Sequence, residues 1–194
     1  KSWQEQLLSY GVQESRSEYS DLSALRLQLE LEKEIGPLYD LVSPHWADIM
    51  HWSEIAVKKD CFPTGFRKNS LIRGDVHDDN AYFLKGKLAH AGLFGTINGV
   101  AETLLKFNDK LDLLSKVYAQ TKSSEQRFEL GWDRSEDPVN TLAGAGRSEG
   151  TFGHLGFVGT SVWIDPVRLK GHVILSNYSL YSWFDKIKIN KERE

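Results

Sequence analysis

Cysteine is nearly absent from the sequence: Cys61 stands alone among 194 residues. One thiol forms no internal disulfide and makes no Cys-based zinc site. Charge of one sign is scarce as well. The formal net charge is −3, and no block of like charge occurs outside the "KINKERE" tail. Phosphate binding needs a basic face, so no nucleic-acid partner is expected. No apolar run is long enough to cross a bilayer, so no membrane span is expected. The opening "KSWQEQLLSYG" lacks the basic, apolar and small-residue regions of an export signal, and a lysine start is expected of a processed chain. Familiar templates are missing too. There is no G-x-S-x-G elbow, H-E-x-x-H or P-loop, and "GAGRSEG" (Gly144 to Gly150) has the wrong spacing for a dinucleotide loop. No cofactor is expected.

What is present fits one ordinary globular domain: 40% hydrophobic and 26% charged residues. Six tryptophans are expected to fill the core and line a groove. Residues 1–18 read as a helix and a polar linker, "QESRSE". The stretch "LRLQLELE" alternates like a strand, but its residues are helix formers. With Ser20 or Asp21 as the cap, a helix is expected to run to Gly36-Pro37. Pro44 is expected to open a helix carrying Trp46, Ile49 and Ile55 on one side. Cys61 to Gly95 reads as a long irregular, functional region. A helix is expected over 96–120, a short strand or turn in "RFELGWD", and a mobile loop over 134–150. "TSVWIDP" and "GHVILSNYS" read as antiparallel strands joined near Arg168–Gly171. "LYSWFDKIKINKERE" reads as a closing amphipathic helix. The expected class is α+β: about 1–125 as a helical lobe with a functional loop, and about 126–194 as sheet and final helix.

Three constellations carry chemistry. In "YSD", Tyr19 and Asp21 can both point into a cleft, where a tyrosine of lowered pKa shuttles protons; alternatively Asp21 caps the helix and Tyr19 packs. His77, Asp78, Asp79 and His90 have metal-ligand chemistry, but His90 lies far along a glycine-broken loop. No metal site is expected, and these side chains are expected to hydrogen-bond loop backbone. "GTFGHLGFVGTSVWIDP" sets His154 among four glycines just before a strand. A histidine there suits a carboxylate or carbonyl held along a strand edge, or else sits exposed in a plain turn. The tryptophan-rich stretch from Trp46 to Trp52 raises a cell-wall-fragment binder as a further option, against the alternative of core tryptophans.

Taken together, "EYSDLSALRLQ", "LIRGDVHDDNAYFLKGKLAHAGLFGT", "FGHLGFVGTSVWIDP" and "HVILSNY" resemble, in order, four blocks of the penicillin-recognising serine hydrolase superfamily, in its class C β-lactamase-like and esterase-like branch. The resemblance implies an α/β sandwich in which helices flank an antiparallel sheet beside a helical lobe. It places Tyr19 on the family's proton-transfer tyrosine, Asp21 on its polar partner, and His154 on the Lys/His that binds the substrate carboxylate. Gly153, Leu155, Gly156 and Phe157 fall on the substrate-facing strand, and His77, Asp78, Asn80 and His90 on the loop that orders the site. The implied ligand is a β-lactam, a peptidoglycan-derived peptide or an ester; the implied compartment is the periplasm or outside the cell.

The chain also departs from that pattern. No serine is followed three residues later by lysine; the nearest imitations are Ser23–Arg26, Ser70–Arg73 and Ser124–Arg127, and arginine is no base near neutrality. Leu155 stands where the family has threonine. Only eighteen residues precede Tyr19, so the family's N-terminal strands and nucleophile helix are expected to be missing. The strand "HVILSNY" would then present an open apolar edge, and a partner is expected: the missing N-terminal half, a second copy or another protein. Two readings follow. The chain is a non-catalytic binding or interaction module, or it is the C-terminal part of a serine hydrolase whose nucleophile lies elsewhere.

Overall fold

A computed structural model describes residues 1–13, 18–135, 142–182 and 185–193. It opens with helix α1 (Trp3–Ser9), capped by a Ser2–Glu5 box in which each side chain takes the other's backbone N–H. Helix α2 (Asp21–Ile35) follows, with Ser20 as its cap through a bond from Leu22 N and Gly36 ending it at φ 80°. Helix composition thus overrides the strand-like alternation. Helix α2 buries Leu25 and Gln28 and leaves Leu27, Leu31 and Ile35 exposed.

After the short helix α3 (Leu38–Val42), the expected Pro44 helix is not formed. Ser43–His45 makes one tight 3-10 turn, Trp46 is extended, and Asp48 takes φ 51°, a left-handed conformation no helix can carry. Asp48 is held there by Thr96, which donates its hydroxyl at 3.0 Å and its backbone N–H at 3.3 Å. Ile49 therefore opens strand β1 (Ile49–His51), and Trp46, Ile49 and Ile55 share no helix face.

The stretch expected to be irregular holds more order than its composition announced. Strands β2 (Pro63–Arg67) and β3 (Ser70–Arg73) form a hairpin whose two turn residues, Lys68 and Asn69, both have positive φ. Helix α4 (Asp79–Leu84) is capped by Asp78, whose Oδ1 accepts from Ala81 N at 2.7 Å. Strand β4 (Leu93–Gly95) pairs antiparallel with β1. The expected helix over 96–120 breaks into α5 (Ile97–Leu111) and α6 (Leu113–Ser123) at Asp112, which adopts the left-handed conformation while Asn108 Oδ1 takes the orphaned Leu114 N–H.

The C-terminal part is a five-stranded antiparallel sheet in simple up-and-down order: β5 (Phe128–Glu129), β6 (Trp132–Arg134), β7 (Phe152–Leu155), β8 (Ser161–Asp165) and β9 (Lys170–Ile174). The expected pair corresponds to β8 and β9, joined at 166–169. His154, expected to precede the strands, instead lies inside β7. Part of the 134–150 loop, residues 136–141, falls outside the described residues. Among the described residues, the expected helix from Leu180 is seen only as α7 (Ile187–Arg193), after a 3-10 turn at Tyr178–Leu180; residues 183, 184 and 194 fall outside the described residues. The class is α+β with antiparallel sheets. Its main apolar cluster is Leu25, Val76, Ala81 and Leu88, which seats α2 on α4 and the loop after it. Phe152 and Trp163 are buried on opposite faces of the sheet.

Candidate functional site

The start of α2, the start of α4 and strand β7 meet. Ser20 fixes where α2 begins, so Tyr19 lies just outside the helix and Asp21 in its first turn. The Tyr19 hydroxyl donates to Asp21 Oδ1 at 3.1 Å. Its ring lies 5.8 Å from the His154 imidazole and 6.0 Å from Phe128, between centroids, and Phe128 lies 6.4 Å from His154. The three rings make one aromatic wall. Phe128 was not singled out in the sequence, because a two-residue strand has no period to detect.

Beside that wall β7 is half open. Its ladder with β6 covers Phe152 and Gly153 only, while its ladder with β8 runs on through His154 and Leu155. Leu155 thus leaves its backbone N–H and C=O on the side that β6 no longer covers, the arrangement that accepts an extended ligand as an added strand. The His154 ring sets the polarity there. Its Nδ1 donates to Leu155 O at 2.8 Å, so in the neutral ring Nε2 is an acceptor and becomes a donor only in the imidazolium form.

Tyr19 is tuned away from base chemistry. Burial pushes its phenol up, and the Asp21 and Asp78 carboxylates act in the same direction. The shift runs opposite to the lowered pKa expected of a proton-shuttling tyrosine.

The glycines of the opening motif have structural duties. A Cβ on Gly153 would run into Val162 O and the Trp163 ring, so this glycine lets the indole lie across β7. Gly156 turns the chain, donating to Thr160 O at 2.8 Å, and Gly159, at φ 113°, completes the turn. Phe157 is exposed at the hairpin tip, 5.5 Å from the His77 ring.

The ordering loop is tied from both sides. Asp78 caps α4 and also meets His90 Nε2 at 3.0 Å, so the loop places His90 against Asp78 despite their separation in sequence. Asp21, Asp78 and His90 offer ligand atoms that all lie within 4.8 Å of one another. The expectation that His90 would stand apart fails, because α4 and the turn after it fold His90 back onto the cap. Burial holds His77 below the usual imidazole range, with the Arg67 guanidinium adding to it. Asn80 is exposed in the first turn of α4.

The chain is similar to proteins named for cell-wall hydrolysis. It is 31% identical over 121 residues to an N-acetylmuramyl-L-alanine amidase of Bacillus subtilis (strain 168), which covers 57% of this chain and 27% of that protein. It is 31% identical over 121 residues to a provisionally named D-alanyl-D-alanine carboxypeptidase of Escherichia coli (strain K12), covering 57% and 28%. A protein of the same provisional name in Escherichia coli O157:H7 is 34% identical over 122 residues, again covering 57% and 28%. The chain therefore spans less than a third of the length of these curated relatives. No family model matches the sequence, and no solved structure matches it.

Proposed function

We propose that the chain forms the back wall and rim of an acyl-transfer pocket in a β-lactamase-like, penicillin-binding-protein-like protein of the cell wall. By this reading it binds a β-lactam, a peptidoglycan-derived peptide or an ester without attacking it alone. The observation that carries the reading is the Tyr19–His154 contact, which joins residues from distant parts of the sequence beside the open edge of β7. A substrate laid along that edge takes main-chain hydrogen bonds from Leu155, while protonated His154 donates to its carboxylate. Chemistry stops there, because no Ser-x-x-Lys supplies a nucleophile with its base and the Tyr19 phenol keeps its proton.

A periplasmic or extracellular setting belongs to the same proposal and is supported by the relatives' names. Among the described residues no helix is long and apolar enough to cross a membrane.

A second reading, the C-terminal part of a working serine hydrolase completed by another segment, draws on the surface. The chain exposes 12572 Å², whereas a compact monomer of 22.1 kDa exposes roughly 9,300 Å². Among the described residues β9 has no neighbour on its outer edge, and Leu27, Leu31 and Ile35 line an uncovered helix face. A partner that adds a strand to β9 and covers α2 would remove much of the excess.

A fluorescent penicillin distinguishes the readings. Incubated with this chain, it is expected to leave no covalent mass on any serine. It is expected to bind reversibly and to bind about tenfold or more weakly to His154→Ala, the cost of a lost charge-assisted hydrogen bond. An acyl-serine in this chain overturns the first reading, and absence of binding removes the wall itself. If a partner segment bearing Ser-x-x-Lys restores no hydrolysis of a chromogenic ester or cephalosporin, the second reading ends.

A further inference from the structure

One side chain joins the open edge at Leu155 to the aromatic wall. His154 donates its Nδ1–H to Leu155 O at 2.8 Å, and its ring stands 5.8 Å from Tyr19 and 6.4 Å from Phe128, between centroids. Tyr19 and Phe128 are 6.0 Å apart, so all three pairs lie within the range of favourable ring contacts. A ligand hydrogen-bonded to Leu155 therefore has rings as its neighbours.

Two of those rings are held by polar anchors. The Arg127 guanidinium lies 5.0 Å from the Phe128 centroid. It is itself fixed by Asp133 through two hydrogen bonds, Nε to Oδ1 at 3.0 Å and Nη2 to Oδ2 at 2.9 Å. Asp133 is buried in β6, and Arg127 O accepts from Arg134 N at 2.9 Å, so the support of Phe128 belongs to the sheet. Tyr19 is tied at its hydroxyl by Asp21, yet 59% of its surface is exposed. A ring fixed at its tip and open along its body is a contact surface formed before the ligand arrives, which keeps the ordering cost of binding small.

Resting on the pocket reading above, we propose that Phe128, with Tyr19, sets the specificity of the site. The two rings receive a flat aromatic acyl group of a β-lactam, ester or amide, in preference to a small aliphatic one. An aromatic group there buries apolar area and meets both rings, whereas a methyl group covers only part of one. Among the three ligand classes, a short peptide that offers only alanine methyls is the poorest fit.

The test uses benzylpenicillin and its methyl counterpart, which share nucleus, amide and carboxylate and differ by one phenyl group. Each displaces a fluorescent penicillin from the chain, and the ratio of their affinities is the readout. The parent is expected to favour the benzyl compound by about tenfold or more. Phe128→Ala is expected to bring the ratio below about threefold while the methyl compound binds within twofold of the parent. Phe128→Tyr, which keeps a ring, is expected to keep the preference. Phe62→Ala, which removes an aromatic ring 80% exposed outside the wall, is expected to behave as the parent does. Circular dichroism reports the fold of each variant. If Phe128→Ala does not fold, Phe128→Leu keeps apolar volume without a ring and is expected to lose about threefold of the preference. Equal binding of the two penicillins by the parent overturns the wall alone, and so does a ratio unchanged within twofold in a folded Phe128→Ala, or in Phe128→Leu where it stands in. A chain that does not bind the fluorescent penicillin at all overturns the pocket, and the wall with it.

Discussion

The lobe of residues 18–95 and the sheet of residues 128–174 solve opposite problems. In the lobe the backbone is irregular and the side chains close it. Arg67 donates to Val76 O at 3.1 Å and His77 O at 2.9 Å and pairs with Asp79; Arg73 donates to Cys61 O at 2.7 Å. Buried Gln28 bridges α2 to the loop, accepting from Ala89 N at 2.8 Å and donating to Lys87 O at 2.9 Å. In the sheet the ladder satisfies the backbone, but enclosure is incomplete: β9 is an edge, and Val167, Leu169 and Leu175 are exposed. An irregular chain can be tightly determined, and a regular one can leave apolar surface uncovered. On the proposed reading the binding edge and His154 belong to the second kind, and Tyr19 and Asp21 beside them to the first.

The hardest blow to this contrast is Gly153→Val. The new side chain would have to occupy space held by Val162 O and the Trp163 ring, backbone and indole that cannot withdraw without opening the β7–β8 ladder. Destabilisation of more than about 4 kcal/mol is expected, or failure to fold, read from urea unfolding followed by tryptophan fluorescence. A loss within 1 kcal/mol would show that β7 is as adaptable as a loop and would erase the distinction.

Gln28→Leu probes the other region at smaller cost. The leucine fits a buried helix face but leaves Lys87 O and Ala89 N without their partner, so about 1–3 kcal/mol is expected. Amide exchange should quicken at residues 87–91 and stay slow in β7 and β8 if the two regions close independently. Faster exchange in the sheet as well would mean that the loop supports both.

How much of this was legible in the sequence follows the same division. Helix α2 and the β8–β9 pair could be read because capping, composition and alternation are local signals. The constellations "YSD" and "HLG" brought Tyr19, Asp21 and His154 to notice before the four-block resemblance did, and the structure sets Tyr19 beside both Asp21 and His154. Other features depended on long-range contacts. The left-handed Asp48 is held by Thr96, and the α5–α6 break is compensated by Asn108, whereas the short strands β5 and β6 fall where "RFELGWD" was expected to form a short strand or turn. The proximity of Asp78 to His90 was missed for the same reason: α4 and the turn after it close a gap that spacing reads as distance. Gly153 was visible as a glycine, but its reason, the indole of Trp163, lies on the neighbouring strand.

The gentlest test uses pH. His51 is 1% exposed; its Nδ1 accepts from Ser53 N at 3.2 Å, so the neutral ring carries its proton on Nε2, which has no partner among the described residues. Burial holds its pKa below the ordinary 6.5, and Lys87 pushes the same way against the opposing pull of Glu54. The unfolded chain therefore takes up the proton first. Stability is fully present above about 6.5 and falls as pH drops through that value toward the folded one. His77, also lowered by burial, adds to the same window. Glu54 acts in a separate, more acidic one: hydrogen bonds from Lys87 and Tyr39 lower its carboxyl from 4.5 to about 2, so its contribution is lost only as pH falls through that interval. One proton couples stability to pH by at most about 1.4 kcal/mol per unit, which makes this the smallest effect of the three. The urea midpoint is expected to be lower at pH 5.5 than at pH 7.5, with part of that slope removed in His51→Gln and the remainder carried by His77. A midpoint that rises on acidification, or a slope untouched by the substitution, would mean that the lobe's buried imidazoles are already charged and its closure rests on ion pairs instead.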